Sequence, residues 1–155
     1  MILVYLGNDL ELLKSIQSLN FDYKLIGDGQ SDCKMKDLLI QDVQSVSCSR
    51  EPFLYLDGLE ESQMKKLDAC VHVKYVAVST ATNLEWTLSK LMNEVQKEYH
   101  YFLVRNRLYQ VLIHPDKERL KEDTEYLKRL SYAYSLYEHE KTPVEILEQV
   151  LYALR

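Results

Sequence analysis

Val73-Lys-Tyr-Val-Ala-Val-Ser-Thr-Ala-Thr-Asn-Leu-Glu-Trp86 carries an apolar strand straight into the longest helical stretch of the chain. Tyr75, Ala77 and Ser79 alternate with Val76 and Val78, the pattern of a strand covered on at least one face. Thr82 and Glu85 have the spacing of a capping box, in which the hydroxyl takes an orphan amide and the carboxylate returns to the cap. From Leu84 onward, Leu88, Leu91, Val95, Tyr99 and Phe102 fall on one helical stripe. Residues before this junction are able to build a sheet, and those after it are helical. The expected division is an α/β sheet domain over 1–80 and a helical C-terminal extension, 81–155, packed on it.

Towards the N-terminus, Ile2-Leu-Val-Tyr-Leu6 is almost wholly apolar, as a central strand buried on both faces requires. Gly7-Asn8-Asp9 ends it, and Asn8 or Asp9 caps a helix along Leu12, Leu13, Ile16 and Leu19 that closes at Asn20. Tyr23-Lys-Leu-Ile-Gly27 is the second strand. A second copy of this β-α-β pattern follows about 50 residues later. Tyr5-Leu6 matches Tyr55-Leu56, Leu13 and Ile16 match Met64 and Leu67, and Leu25-Ile26 matches Tyr75-Val76. Such a duplication predicts the ferredoxin-like fold, in which two units interlock into a four-stranded antiparallel sheet with both helices on one face. The other arrangement open to the same elements is a parallel sheet with right-handed crossovers.

Between the repeats, 28–52 is long for a structureless loop. Lys36-Asp-Leu-Leu-Ile40, with Val43 and Val46, predicts a helical turn or an added edge strand. Asp28-Gly-Gln-Ser-Asp32 has a faint likeness to a calcium loop but lacks its twelve-residue spacing and terminal glutamate, so it is expected as solvated loop.

Beyond Trp86 the helix extends to about Ile113, where Pro115 forces a stop; whether it runs unbroken is open. From Tyr101, the residues Phe102, Leu103, Val104, Leu108, Tyr109, Val111, Leu112 and Ile113 exceed one stripe, so this half needs cover on two sides. A second helix along Leu120, Thr124, Leu127, Leu130, Tyr134 and Tyr137 supplies cover. A third starts at the capping box Thr142-Pro-Val-Glu145 and runs along Val144, Leu147, Val150, Leu151 and Leu154.

The net charge of -5 opposes general affinity for nucleic acid, because phosphate neutralisation needs a basic face. Residues 1–80 hold 8 basic and 12 acidic groups and 81–155 hold 11 and 12, which leaves room for a local basic patch in the helical half. No run approaches the roughly 18 apolar residues of a membrane span, and no basic leader precedes the first strand. A soluble cytoplasmic protein without a membrane partner is expected. Cys33, Cys48 and Cys70 have neither disulfide-framework nor zinc spacing. Glycine-rich phosphate loops, nucleophile elbows and H-E-x-x-H pairs are missing from the sequence, and His72, His100, His114 and His139 are not spaced as ligands. No catalytic residue, metal site or cofactor is therefore predicted.

Three resemblances bear on function. The run Phe53-Leu-Tyr-Leu-Asp-Gly-Leu-Glu-Glu-Ser-Gln-Met-Lys-Lys-Leu67, then Tyr75 to Thr80, then Thr82-Asn-Leu-Glu-Trp-Thr-Leu88 and the acidic helix to Glu98 resembles the bacterial domain of unknown function 3783. Asp57, Gly58, Thr82, Asn83 and Trp86 carry that likeness over about 53–100. It implies a small cytoplasmic α/β domain and no activity. His114-Pro115-Asp116-Lys117 resembles the loop of J-domains, cochaperones of Hsp70-type ATPases. Arg105 and Arg107 lie in the preceding helix, and Ala133-Tyr134 occupies the following one. The family's short first helix has no counterpart, and Asp116 is equally a good cap for a helix beginning at Lys117. Asp57, Ser79, Thr80 and Asp9 at strand ends are similar to the phosphoacceptor site of receiver domains, but the fifth strand and its lysine are missing.

Eight of the twelve tyrosines lie from Tyr99 onward. Tyr126, Tyr132, Tyr134 and Tyr137 do not fit one buried stripe, and exposed tyrosines favour protein interfaces. The expected function is thus a non-enzymatic interaction or regulatory module that binds a protein partner or itself. Its candidate contacts are Arg107, His114, Pro115, Asp116, Tyr132 and Tyr134. A J-domain-like cochaperone is the alternative, and a phosphoacceptor at Asp57 the third.

Overall fold

A computed structural model describes residues 1–42 and 47–155, which divide into two compact units, Met1–Gln96 and Lys97–Arg155. The first unit is a mixed sheet with helices on both faces. Its strands are β1 (Ile2–Tyr5), β2 (Tyr23–Ile26), β3 (Phe53–Leu56) and β4 (Tyr75–Val78), in the spatial order β2-β1-β3-β4. β1 pairs parallel with β2, β3 pairs parallel with β4, and the two pairs join through antiparallel β1 and β3. The all-apolar sequences ILVY and FLYL explain the centre, since every residue of β1 and β3 is buried.

The mixed α/β class and the duplication stand, but the repeats lie side by side. In the interlocked ferredoxin-like order the outer strands would exchange edges, and in an all-parallel sheet β1 and β3 would share a direction; neither is found. β1 and β3 are central in the observed and the interlocked order alike, so burial does not choose between them. What differs is that each crossover here joins hydrogen-bonded neighbours about 4.8 Å apart instead of skipping a strand. The crossover helices α1 (Leu10–Ser18) and α3 (Glu61–Cys70) do share one face, where Leu12, Ile16, Leu67 and Val71 cover Ile2, Val4, Leu54 and Leu56.

The opposite face is covered by the stretch between the repeats and by the helix after β4. A short helix α2 (Met35–Ile40) buries Met35 and Leu38 against Leu3, Tyr5, Phe53 and Tyr55. The helical turn expected there forms, whereas Val43 and Val46 lie outside the described residues. Asp28–Gln30 is a 3-10 turn, and the Lys24 ammonium donates to the Leu38, Leu39 and Gln41 carbonyls at the end of α2. Leu88, Leu91 and Met92 complete this layer from α4, which runs unbroken as Leu88–Ile113.

The second unit takes the rest of α4 with α5 (Lys117–Glu122), α6 (Thr124–Glu138) and α7 (Val144–Ala153). Val104, Leu108, Tyr126, Leu130, Ala133, Leu147, Val150 and Leu154 form its core. The helix expected along Leu120 to Tyr137 is two helices. Asp123 ends α5 and its carboxylate accepts the Tyr126 amide to start α6, a local bond that competes with continuing the helix. Thr142 does not cap α7. It is buried and donates instead to the Leu136 carbonyl, leaving Pro143 at the cap position. Among the described residues, no helix is long and apolar enough to cross a membrane.

Gly7 and Gly58 both have positive φ, +59° and +67°. A Cβ on Gly7 would sit 2.8 Å from the Pro52 ring, while one on Gly58 would meet open space. Gly58→Ala is therefore expected to cost about 1 kcal/mol from backbone strain alone, and Gly7→Ala about 3 kcal/mol from strain plus steric overlap. Urea unfolding of the two variants checks the difference; equal losses would show that the Gly7 contact is not tight.

Candidate functional site

The residues that follow β4 form a hydrogen-bonded corner around Asn83. Its amide oxygen accepts the Tyr55 hydroxyl at 2.7 Å and the Thr80 amide at 2.9 Å, and its NH2 donates to the Val78 carbonyl at 3.0 Å. The Asn83 amide in turn donates to Thr80 Oγ1 at 3.0 Å. A buried amide needs all its partners, and Asn83, 8% exposed, has them. The expected capping box is absent because these bonds capture the chain first. Thr82 makes no side-chain cap, 83–85 is a 3-10 turn, and Thr87 Oγ1 caps α4 by accepting the Lys90 amide. The Glu85 carboxylate, freed from capping, bridges Lys34 at 3.3 Å and Lys36 at 2.8 Å, which holds its pKa below the ordinary value. Trp86 lies under the Lys90 ammonium, 4.7 Å from its ring centroid, and its carbonyl accepts the Met35 amide. Burial, followed by the Asp57 charge, pushes the Tyr55 hydroxyl up to about 12.

A matching bond ties down the first repeat. The Tyr5 hydroxyl donates to Asp28 Oδ1 at 2.5 Å and accepts the Ser49 and Arg50 amides at 3.1 Å. The Tyr5 bond first of all, followed by the Ser49 side chain, holds the Asp28 carboxyl below its usual range. The sequence pairing of Tyr5 with Tyr55 is thus repeated in their roles, each fastening an Asx side chain beyond the outer strand of its own repeat. Nothing in local spacing marks Asp28 as that partner.

The acidic constellation at the strand ends is not brought together. Because β1 and β3 are antiparallel, with Ile2 opposite Leu56 and Tyr5 opposite Phe53, Asp57 and Asp9 leave the sheet at opposite ends. Asp57 sits beside Met1, donating its amide to that carbonyl at 3.0 Å, and Asp9 caps α1 through the Leu12 amide. Ser79 does lie at the Asp57 end, its amide bonded to the Leu56 carbonyl. Among the described residues, no three His, Cys, Asp or Glu side chains converge as metal ligands do.

In the second unit the candidate residues separate. His114 is exposed at the end of α4, and Asp116 is occupied as a cap, its Oδ1 accepting the Glu118 and Arg119 amides while its own amide donates to the Tyr126 hydroxyl. Arg107 lines a cleft of about 510 Å³ with Tyr152 and Arg155, where His100 Nε2 lies 2.6 Å from Glu148 Oε1. Tyr132 lines a smaller one of about 230 Å³ with Arg129 and Ile146. Tyr126 is buried, whereas Tyr132 and Tyr134 are 59% and 53% exposed, and the Glu138 carboxylate beside Tyr134 raises its hydroxyl pKa. Sequence reading missed the stack in which Tyr137 takes the Arg105 guanidinium at 4.1 Å on its ring and packs on Tyr109 at 5.7 Å.

Residues 58–102, from the Gly58 turn through α3, β4 and the Asn83 corner into α4, match the family model described as Domain of unknown function (DUF3783). No curated protein and no solved structure matches the chain.

Asn83→Ala leaves the Tyr55 hydroxyl buried without its acceptor and is expected to cost about 3 kcal/mol, against about 1 kcal/mol for Tyr55→Phe. The Tyr55 pKa is raised from 10.0 to about 12, so the hydroxyl's stabilisation is whole below pH 10 and is lost as the pH climbs towards 12. Urea midpoints across that alkaline range should fall for the native chain by more than for Tyr55→Phe. Equal slopes would place the titrating group elsewhere.

Proposed function

We propose that the chain is a non-enzymatic protein-interaction module whose contact surface is the tyrosine-rich exterior of α6 and α7. The exposure of Tyr132, Tyr134 and Tyr152, the last at 72%, carries the reading. Tyrosine offers a large rigid contact with a polar tip and little rotamer freedom to lose, which is why interfaces are enriched in it. Charges around it are mixed, with Arg129 beside Tyr132 and Glu138 beside Tyr134, which favours a protein partner over a nucleic acid. The corner at Asn83 has its polar atoms bonded within the chain, which suits a structural role for that family motif. We place the protein in the cytoplasm, a setting consistent with three unpaired thiols.

His114-Pro115-Asp116 is read as a helix connector, because capping α5 already employs the Asp116 carboxylate. A photo-crosslinking residue in place of Tyr132 or Tyr134 should give discrete protein adducts in the native lysate that the same residue in place of Lys65, on α3, does not. No adduct at either tyrosine position would overturn the proposal. ATP-dependent retention of an Hsp70-type chaperone, lost in His114→Gln, would replace it with the cochaperone reading.

A further inference from the structure

We propose that the groove between α6 and α7, walled by Arg129, Tyr132, Ile146, Gln149, Val150 and Ala153, receives an amphipathic helix of a partner protein that carries a bulky apolar side chain and a carboxylate one turn apart. Resting on the interaction-module reading, the groove gives that surface its class of partner.

Both walls belong to the second unit, so the groove is built without any residue of the first. Ile146, Gln149, Val150 and Ala153 stand at i, i+3, i+4 and i+7, one stripe two turns long on α7. Arg129 and Tyr132, three apart on α6, line the other wall. α7 has more apolar surface than its own unit takes up. All of its ten residues but Glu145, Glu148 and Gln149 are apolar, and only Leu147 and Val150 are buried.

Size favours a side chain as the occupant. At about 230 Å³ the groove is smaller than the roughly 300–1,000 Å³ of pockets that enclose a small molecule, yet larger than the about 150 Å³ that admits benzene. One aromatic or branched side chain fits it. The stripe on α7 has the spacing by which a helix laid in an apolar groove is read.

Charge selects the rest of the partner. Of the six wall residues Arg129 alone is charged. Among the described residues it has neither an ion-pair nor a hydrogen-bond partner, and Glu125, one turn before it on α6, is held by Lys128 at 3.2 Å. A guanidinium at the rim of an apolar groove takes a carboxylate through two parallel bonds, which are stronger there than in open water. Phosphate recognition draws clusters of cations, and the groove has one.

A phage-displayed library of alanine-based helical peptides of about 14 residues, randomised at i, i+3, i+4 and i+7 and selected against the full chain, tests this. Enriched peptides are expected to pair Phe, Leu or Trp with Asp or Glu one turn away. Their binding should vanish with Ala153→Trp, which fills the groove from an exposed position, and weaken at least about tenfold with Arg129→Glu, which should select Lys in place of the acid. Helical content and melting temperature of both variants should match those of the native chain. No enriched peptide, enrichment without an acid, or peptides that bind Ala153→Trp as tightly as the native chain overturn the proposal. Crosslinking from Tyr134, which lies outside the groove walls, is scored separately: lysate adducts that persist in Ala153→Trp while the selection fails leave the interaction module standing without this groove.

Discussion

The antiparallel pairing of β1 with β3 is the constraint on which the sheet unit depends. Both strands are buried along their whole length, so each needs apolar cover above and below as well as a strand on either side. Parallel partners β2 and β4 supply the outer edges, and α1 with α3 on one face, α2 with the start of α4 on the other, supply the cover. In open α/β sheets ligands gather where the carboxyl ends of neighbouring strands diverge. Reversing the central pair sends those ends to opposite sides, so the carboxylates after β1 and β3 cannot share a magnesium ion or a phosphoryl group. The same pairing that makes the core keeps Asp9 and Asp57 at opposite ends of the sheet.

What polar chemistry the sheet does bury is used for fastening. Tyr5 and Tyr55 bring a hydroxyl to one face of each central strand, and each finds an Asx oxygen, Asp28 or Asn83, in the segment after its repeat's outer strand. Left unpaired, either hydroxyl would oppose folding, so the two bonds help select where 28–30 and 80–86 lie. Asn83 then aims α4. The family motif is best understood as the device that turns an edge strand into the long helix.

Patterns of period 2 and 3.6 revealed the strands, the helices and the duplication, because burial writes itself directly into residue spacing. Strand order did not show, since the interlocked and side-by-side arrangements bury the same two strands. The pairing of second strands was also one residue out: with Tyr5 matched to Tyr55, Ile26 takes the register of Ala77, not of Val76, which is exposed. Side-chain bonds decided the remaining differences. Thr82 and Thr142 each stood in a capping context and neither caps with its side chain, because Thr142 finds a buried carbonyl and Thr82 yields to the Thr80–Asn83 pair, whereas Asp123, expected inside a helix, caps α6. Cover on two sides was expected beyond Tyr101 from composition, whereas Phe102 and Ile113 stay largely exposed.

Cross-strand proton contacts in the isotopically labelled chain test the strand order most directly. The side-by-side arrangement predicts backbone nuclear Overhauser effects between Leu3–Tyr5 and Lys24–Ile26 in parallel register, together with the antiparallel set between Leu3 and Tyr55. Contacts from β3 to β2, or from β1 to β4, would show interlocked repeats and contradict the account.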